Sequence, residues 1–495
     1  MNFLSLFVLI PVLMLLGLWV SRNMNQIRVV MVTGATALLG LAVALAFLYL
    51  NEREAGNTAE MLFADSQVWY APLNIHYAIG VDGISVVMLL LSAIIVFTGV
   101  FASWRMQPLT KEFFLWFCLL STGVFGFFIS LDLFTMFMFY EVALIPMYLL
   151  IGVWGSGKKE YSAMKLTLML MGGSALILMG ILGIYFGTGA TTMNLVELAK
   201  LDIPIEMQRI FFPLTFVGFG VLGALFPFHT WSPDGHASAP TSVSMLHAGV
   251  LMKLGGYGCF RIAIYLMPQA AQEQAWIFLI LTAIGVVYGA FSACVQKDLK
   301  YINAYSSVSH CSLVLFAILM MTQTASTGAV LQMLSHGLMT ALFFALIGMI
   351  YGRTHTRDIR EMSGLMKVMP FLSVCYVITG LANLGLPGLS GFIAEMTIFV
   401  GAFEVNDTFH RALTVIATTS IVVTAVYILR LVGKILYGKV ENEEHLKLTD
   451  ATWDERLTLI CLVIAIAGLG MMPWGISDII SDSVLPVINQ LAANR

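Results

Sequence analysis

Long apolar runs without charged residues recur from one end of this chain to the other, and they constrain its fold more than any other feature. Of its 495 residues, 59% are hydrophobic and only 11% are charged, whereas soluble proteins carry about 25% charged residues. A membrane-spanning helix needs about 20 apolar residues. The sequence therefore predicts an all-α polytopic membrane protein with about 14 transmembrane helices.

Two of the predicted spans are interrupted by proline, glycine and polar residues. The first break surrounds Pro227 and is followed by an expected polar turn that contains Asp234 and His236. The second break covers residues 383–392. The spans are expected near residues 3–20, 29–50, 83–103, 113–129, 132–153, 162–187, 210–231 (broken), 240–266, 274–295, 301–321, 327–351, 369–402 (broken), 410–437 and 457–478.

The positions of the two breaks predict an internal repeat. Each break falls in the fourth helix of a group of five, and an odd number of crossings inverts the second group relative to the first. Interrupted spans at corresponding places in two inverted halves are typical of a transport site near the membrane midplane. The expected units are residues 1–112 (helices 1–3), 113–267 (first repeat, helices 4–8), 268–438 (second repeat, helices 9–13) and 439–495 (cytoplasmic loop and helix 14).

Loop charge predicts the orientation of these helices. Most of the 25 Lys and Arg residues fall in alternate loops, Lys300 among them, whereas the intervening loops hold few, such as Arg53 and Arg495. By the positive-inside rule, both termini are expected outside, on the periplasmic face of an inner membrane. Loop 51–77 is then an external polar cap. Loop 438–456 is internal, either as a solvated loop or as a docking surface for a neighbouring subunit.

The motifs that would hold a cofactor are absent from the sequence. The six cysteines are scattered singly through apolar runs without a CxxC spacing, which is typical of core packing rather than of an iron–sulfur cluster or zinc site. The sequence also lacks a P-loop, a dinucleotide fingerprint and the basic clusters of a nucleic-acid-binding protein. We therefore expect no cofactor, metal or nucleic acid on this chain.

Ionisable residues inside apolar spans are costly and are usually functional. Glu141 lies near the centre of the fifth span, Lys253 lies deep in the eighth and Glu395 follows the second break. Glu141 is interpreted as a proton carrier, with a static ion pair to Lys165 or Lys253 as the alternative. For Lys165, a place on the proton path and snorkelling to the cytoplasmic interface both remain open.

Three histidines also lie in apolar helices, namely His247, His310 and His336. A single buried histidine is more often a hydrogen-bonded core residue. Three of them between two broken helices favour a proton relay, because histidine gains and loses its proton near physiological pH. By contrast, Asp82 and Asp132 stand at helix starts and are expected to be caps.

Four stretches of the sequence together resemble the antiporter-like membrane subunits of respiratory complex I, and the similarity runs over nearly the whole chain. They are FYEVALIPMYLLIGVWG, PFHTWSPDGHASAPTSVSMLHAGVLMKLGGYG, KDLKYINAYSSVSH and GLPGLSGFIAEMTIFVGAF. The resemblance implies fourteen helices with inverted five-helix repeats and a hydrophilic axis that links neighbouring subunits. It also implies that Glu141, Lys253, Glu395, His310 and His336 belong to that axis.

This chain departs from the family's pattern at two positions. The family usually has a lysine five residues before the proline of its PFHTW-like motif, where this sequence has Leu222. His247 stands where one branch of the family often has an apolar residue, while the L-type and cation-antiporter branches often have histidine. The first departure affects how Glu141 would be switched, and we expect His247 and Lys253 to take over the missing lysine's task.

The resemblance implies a proton-translocating subunit of NADH-quinone oxidoreductase. Flavin, iron–sulfur clusters and quinone would then be held by partner subunits. The expected partners are other membrane subunits of that complex, above all the antiporter-like subunits L and N, together with lipids. The alternatives are a subunit of a multi-chain cation/proton antiporter or membrane-bound hydrogenase, and a non-pumping structural spacer, which Leu222 would favour.

Overall fold

Helices dominate the structure, a computed structural model that describes residues 2–493. Arg495, counted above among the external charges, therefore lies outside the described residues. The helices that precede the first break are α1 (Leu6–Val20), α2 (Met24–Glu54), α3 (Gly83–Ala102), α4 (Thr110–Ile129), α5 (Leu133–Trp154), α6 (Lys159–Gly187), the short α7 (Leu195–Leu198) and α8 (Ile205–Leu222).

After the first break, helices follow one another up to residue 493. They are α9 (Trp231–Ser238), α10 (Thr241–Leu246), α11 (Met252–Gly258), α12 (Pro268–Val295), α13 (Leu299–Leu319), α14 (Gln323–Thr354), α15 (Pro370–Asn383), α16 (Ser390–Phe403), α17 (Thr408–Leu436), α18 (Trp453–Met471) and α19 (Trp474–Ala493). Within residues 2–493, eleven helices are long and apolar enough to cross a membrane, or up to twelve with the bent pair α18 and α19. The polytopic helical fold is confirmed, whereas the number fourteen and the inverted repeats stay predictions.

The predicted cap between α2 and α3 contains a β-hairpin that the sequence reading missed. Strands β1 (Leu62–Tyr70) and β2 (Ile75–Val81) pair antiparallel. The backbone of β2 is tied to the start of α5, where Asp132 accepts a hydrogen bond from the His76 N–H. Asp132 also caps α5, as predicted, by accepting from the Thr135 N–H. The hairpin is therefore fixed to the helix ends that the loop charges place outside.

Both predicted interruptions are present. Residues 223–230 separate α8 from α9, and residues 384–389 separate α15 from α16. The prediction of a polar turn after Pro227 is wrong in detail, because these residues form the short helix α9. Asp234 and His236 are therefore held on a helix of eight residues rather than on a loop.

The helix that carries His247 and Lys253 is not a regular α-helix. Residues His247–Leu251 and Cys259–Ile264 form π-helical turns on either side of α11. A π turn widens the helix and occurs frequently at functional sites. A regular α-helix would place His247 and Lys253 about 9 Å apart along its axis and about 120° apart around it. The wide first turn changes that angle.

Small residues let the helix that carries His247 and Lys253 approach α14 closely. A Cβ added to Gly337 would lie 2.6 Å from the backbone oxygen of Gly249, which is closer than any real side chain tolerates. Gly255 meets the end of α8 in the same way, because its added Cβ would lie 2.4 Å from the backbone nitrogen of Gly223. Small residues at such crossings are typical of membrane helices, whose association relies on close packing.

The C-terminal region also differs from the prediction. The expected last span at 457–478 instead ends at Met471, and α19 leaves it at an angle of 74°. Helix α19 is amphipathic, with Ser483 buried against the start of α3, where its hydroxyl accepts from the Gly83 N–H. The unit 439–495 therefore contains two helices rather than one.

Candidate functional site

The ammonium group of Lys253 lies in the interior of the helix packing, where only 2% of the residue is exposed. Its Nζ donates to the carbonyl oxygen of Ala248 at 2.5 Å and lies 2.7 Å from Nδ1 of His336. Ala248 belongs to the π turn, so the irregular helix places a carbonyl next to the buried charge. A buried ammonium group needs such partners, because leaving it unpaired would cost several kcal/mol.

A second histidine continues the line beyond His336. The ring centroids of His336 and His310 are 5.3 Å apart. On its far side, His310 lies 3.5 Å through Nδ1 from Oε1 of Glu395. Lys253, His336, His310 and Glu395 come from four separate helices and form one buried row. The structure therefore brings together four of the seven predicted site residues.

The second break helps to place Glu395 at the end of this row. Gly385 lies in the break with a φ of +67°, and a Cβ on it would lie 2.9 Å from Oε2 of Glu395. Only glycine combines that backbone conformation with room for the carboxylate. Asn383, the last residue of α15, accepts from Nε2 of His310 at 2.6 Å through its Oδ1. The broken helix thus supplies both a hydrogen-bond partner and space to the row.

The amide of Gln332 contacts the same histidine. Its Nε2 lies 3.0 Å from Nδ1 of His310, while its Oε1 is buried without a hydrogen bond. In a neutral ring whose Nε2–H donates to Asn383, Nδ1 is the acceptor for this amide. A protonated ring would need an acceptor at Nδ1, which Glu395 supplies, or Gln332 after its amide turns over. The surroundings of His310 thus suit both of its protonation states.

His247 lies on the other side of Lys253, packed against two aromatic rings. Its ring is stacked on Trp231 with centroids 5.2 Å apart and lies 4.4 Å from the ring of His236. Neither nitrogen of His247 makes a hydrogen bond. His236 is fully buried and is close to Met252, with Nε2 3.4 Å from its sulfur. The first break thus adds a histidine that the sequence reading noted only as part of a turn.

Lys165 does not pair with Glu141. Its Nζ instead lies 2.7 Å from Oδ2 of Asp234, and Oδ1 of Asp234 accepts from the Tyr301 hydroxyl at 2.9 Å. This cluster borders an open polar pocket that Tyr161, Ser162, Asp234, Tyr301 and Arg357 help to line. The lysine is therefore half-buried at the mouth of a pocket, on the side that the loop charges place inside.

Lys300 is a buried lysine that the sequence reading assigned to an internal loop. Only 4% of the residue is exposed, and its Nζ donates to the carbonyl oxygen of Ala239 at 2.7 Å, at the end of α9. Its position in the second residue of α13, next to the charged stretch KDLK, concealed this burial. The sequence around Lys300 has no apolar periodicity that would have indicated a buried side chain.

Glu141 stands apart from the buried row. The carboxylate is only half-buried on α5, and its Oε1 is buried without a hydrogen bond. Its neighbours along the helix, Met138 and Ile145, are exposed. The alternative interpretation, a static ion pair with Lys165 or Lys253, is not what the structure shows, because both lysines have other partners. Glu141 therefore borders a lateral face of the subunit rather than its centre.

Leu222, which replaces the family's lysine, is fully buried as the last residue of α8. The helix breaks immediately after it, and its neighbour Gly223 lines a small cavity beside Lys253 and Cys311. That cavity has room for about one water molecule. The only long cation facing this cavity among residues 2–493 is thus Lys253. Within the same range, no group of His, Cys, Asp and Glu is arranged to hold a metal ion.

Comparison with known families identifies the same group of proteins. Residues 130–424 match the family described as NADH:quinone oxidoreductase/Mrp antiporter, transmembrane. The chain is 33% identical over 478 residues to NADH-quinone oxidoreductase subunit M of Rickettsia conorii, which covers 96% of each protein. It is 35% identical over 417 residues to NAD(P)H-quinone oxidoreductase chain 4 1 of a Synechococcus species, covering 83% of this chain and 79% of the relative.

Solved structures share the fold over the whole chain. A chain of respiratory complex I from Thermus thermophilus superposes with a TM-score of 0.89 at 26% identity, covering 99% of both chains. A chain of the Mrp complex from Dietzia gives a TM-score of 0.85 at 18% identity, covering 99% of this chain and 100% of that one. A chain of an archaeal membrane-bound sulfane sulfur reductase gives 0.87 at 23%, covering 100% of both. At these identities, the similarity to the last two structures shows a common fold and nothing about function.

Proposed function

Because the chain belongs to the NADH:quinone oxidoreductase/Mrp antiporter membrane family, we propose that it is the subunit-M-type component of an NADH-quinone oxidoreductase and translocates protons in its membrane arm. Its relatives named subunit M or chain 4 match most of its length. The chain would act as part of the enzyme complex without carrying out the redox chemistry itself. Flavin, iron–sulfur clusters and quinone would be held by partner subunits.

One observation carries this proposal, namely the buried row of Lys253, His336, His310 and Glu395. The close contact between Lys253 and His336, and that between His310 and Glu395, join groups that can each exchange a proton. Between the two histidine rings, 5.3 Å apart, one water molecule would complete the connection. A proton would load near Lys253, pass through the histidines and be released beyond Glu395.

Glu141 would take part through a neighbouring subunit rather than through this chain's own lysines. A half-buried carboxylate between exposed apolar side chains cannot face lipid without a large cost. A partner subunit that covers α5 and supplies a cation would remove that cost and would switch the charge of Glu141. We propose the antiporter-like subunits L and N as the neighbours, with lipid covering the remaining apolar faces.

The proposed orientation in the membrane follows from the loop charges. The orientation with both termini outside, in the inner membrane, places the pocket at Lys165 and Asp234 on the cytoplasmic side. Lys165 would then gather protons at the mouth of that pocket, and His247 with His236 would connect the first break to Lys253. The units 1–112, 113–267, 268–438 and 439–495 stay proposed divisions of the chain.

The principal alternative is a subunit of a cation/proton antiporter or of another membrane-bound oxidoreductase. The likeness to the Mrp and sulfane sulfur reductase chains makes these the rivals to test. Purification of the chain with its native partners separates the possibilities. Recovery of flavin and iron–sulfur subunits with NADH-quinone activity supports the proposal, and recovery of small membrane subunits alone supports the antiporter.

Substitution of the acids tests the proton path. In the assembled complex, Glu141→Gln and Glu395→Gln should each reduce electron-driven proton pumping at least about tenfold, because a carrier group is removed. Glu404→Gln is the matched control, since Glu404 is an exposed acid in the residue that follows α16. Pumping is measured in proteoliposomes against quinone reduction in the same sample. Full pumping by both carrier variants would rule out the proposed path, and a spacer subunit would then remain.

A further inference from the structure

A buried charge cluster lies between the outer end of the Lys253 helix and the β-hairpin. The guanidinium of Arg261 is completely buried, with Nη2 2.7 Å from Oδ2 of Asp82 and Nη1 3.8 Å from Oε1 of Glu60. Asp82 directly follows β2, and Glu60 shortly precedes β1. Asp82 also caps α3, as predicted, by accepting from the Ser85 N–H. The arginine thus joins both ends of the hairpin to one helix.

This cluster is costly to keep. Two of the guanidinium nitrogens, Nε and Nη1, are buried without hydrogen bonds. A buried ion pair whose groups are not all satisfied contributes little or nothing to stability compared with apolar residues of similar size. Apolar contacts would hold the hairpin with at least as much stability, so stability alone does not account for a buried charge at this place.

Arg261 lies on the same helix as Lys253 and closer to its outer end. Lys253, Tyr257 and Arg261 follow each other at intervals of four residues, and the Tyr257 hydroxyl is 3.0 Å from that of Ser85. The ring of Tyr257 is packed edge-on against Phe127 and Phe128, with centroids 5.8 and 5.4 Å away. Between the buried lysine and the outer surface there is thus an aromatic layer, followed by a fixed positive charge.

We propose that Arg261 and this aromatic layer seal the first half of the subunit, residues 113–267, against the outside, so that a proton at Lys253 reaches the outside only by way of His336. This inference rests on the proposed proton path. A guanidinium stays protonated at every physiological pH and therefore cannot pass a proton on. A fixed positive charge in a narrow passage also repels protons and other cations.

The two sides of the first half differ in the way that such a seal requires. Toward the predicted inside, an open polar pocket reaches Asp234 and Tyr301. Toward the predicted outside, Glu60 is the partly exposed member of the cluster and Arg261 behind it is closed off. Without this barrier, Lys253 would connect the two sides of the membrane and would dissipate the gradient that the complex builds.

Passive proton leak measures the seal directly. The complete complex is reconstituted in liposomes without electron donor or quinone, and internal pH is followed with a dye after an external acid pulse. Arg261→Gln should raise the leak severalfold over the wild type, whereas Arg261→Lys, which retains the charge, should leave it unchanged. Adding Lys253→Met to Arg261→Gln should return the leak to the wild-type rate, because the proton route through the lysine is removed.

A second variant guards against misassembly. Arg261→Gln leaves Asp82 buried without its cation, so the pair Asp82→Asn with Arg261→Gln removes both fully buried charges and leaves only the partly exposed carboxylate of Glu60. This neutral pair should also leak. An assembled complex with either variant and a wild-type leak would overturn the seal. The assay needs no turnover, so this failure is distinct from normal pumping by Glu395→Gln, which would overturn the proton path.

Discussion

At the scale of single residues, the buried row joins ionisable side chains that are far apart in the sequence and lie on separate helices. The sequence singled out Lys253, His310, His336 and Glu395 because each is expensive in lipid, and the structure places them in one row. The pairing of Lys165 with Asp234 was missed, since Asp234 follows a break whose fold no periodicity describes. A cost in lipid can be read from one residue, whereas a contact depends on how several helices cross.

Gln332 gives a prediction at this scale. Its amide meets Nδ1 of His310 through Nε2 and has an unpaired oxygen on its other side, so it can serve the neutral and the protonated ring in turn. Gln332→Leu should lower the pumping rate about tenfold or more, because proton transfer through His310 loses its partner. Gln332→Glu should instead keep His310 protonated and lower pumping by holding the proton.

The measurement is the pumping rate of proteoliposomes that hold the assembled complex, together with the pH dependence of that rate. Gln323→Leu is the control, because Gln323 lies at the start of the same helix and bonds only to Ser481. Wild-type pumping with an unchanged pH profile in both Gln332 variants would show that the amide has no part in the relay.

The compensation for Leu222 is a second prediction at the residue scale. Leu222 removes the family's cation, and His247 supplies a titratable ring on the following helix. His247→Ala should reduce pumping strongly, and adding Leu222→Lys should restore part of it. Because histidine carries charge only when protonated, wild-type pumping that depends on His247 should be faster at acidic than at alkaline pH. Normal pumping by His247→Ala over about pH 6 to 8 would leave Lys253 alone in this role.

At the scale of elements, the interruptions were predictable and the irregular turns were not. Proline and glycine marked both broken helices in the sequence. The π turns beside α11 carry no such marker, because MLHAGVLMKLGGYG contains no proline and its glycines lie inside the predicted span 240–266 rather than at a break. The β-hairpin was missed for a related reason, since the sequence of β1 shows no strict alternation of apolar and polar residues and β2 is mostly apolar and buried. Such features arise from packing against neighbours rather than from local composition.

The crossing of the Lys253 helix with α14 can be tested with one methyl group. Gly337→Ala would place a Cβ 2.6 Å from the Gly249 oxygen, which should separate the helices and destabilise the subunit by about 1–3 kcal/mol. The contact between Lys253 and His336 should lengthen, so pumping should fall with stability. Gly352→Ala is the matched control in the same helix, since nothing lies within 4 Å of its added Cβ.

Thermal unfolding of the purified complex and its pumping rate are the two measurements for this pair of variants. The control should be neutral or slightly stabilised, because alanine favours a helix over glycine by about 0.5–1 kcal/mol. If Gly337→Ala matches Gly352→Ala in both, the close crossing does not position the buried row.

For the whole molecule, charge and hydropathy predicted the class of fold, whereas a place in the membrane arm of an enzyme complex was implied by the family resemblance alone. The structure agrees with the loop-charge assignment in one respect, because ion pairs join loops assigned to the same side. Arg353 and Glu455 are both assigned inside and pair at 2.6 Å, and Arg209 and Glu273 are both near outer ends and pair at 2.8 Å. Composition could not predict the bend before α19, since it depends on how the chain packs around α14 and α3.

The orientation itself is open to a direct test. Loop charge places residues 438–456 inside and the hairpin outside, because positively charged loops are retained on the cytoplasmic side. With the six native cysteines replaced, a single cysteine at Thr58 should react with a membrane-impermeant reagent from the periplasmic side, and one at Glu443 only from the cytoplasmic side. Both positions are exposed, and Thr58 is chosen because nearby Glu60 accepts a hydrogen bond from Tyr265. Labelling of both cysteines from one face would mean that the number of crossings between them is even, and the assignment of the proton pocket and the outer seal to opposite sides would have to be abandoned.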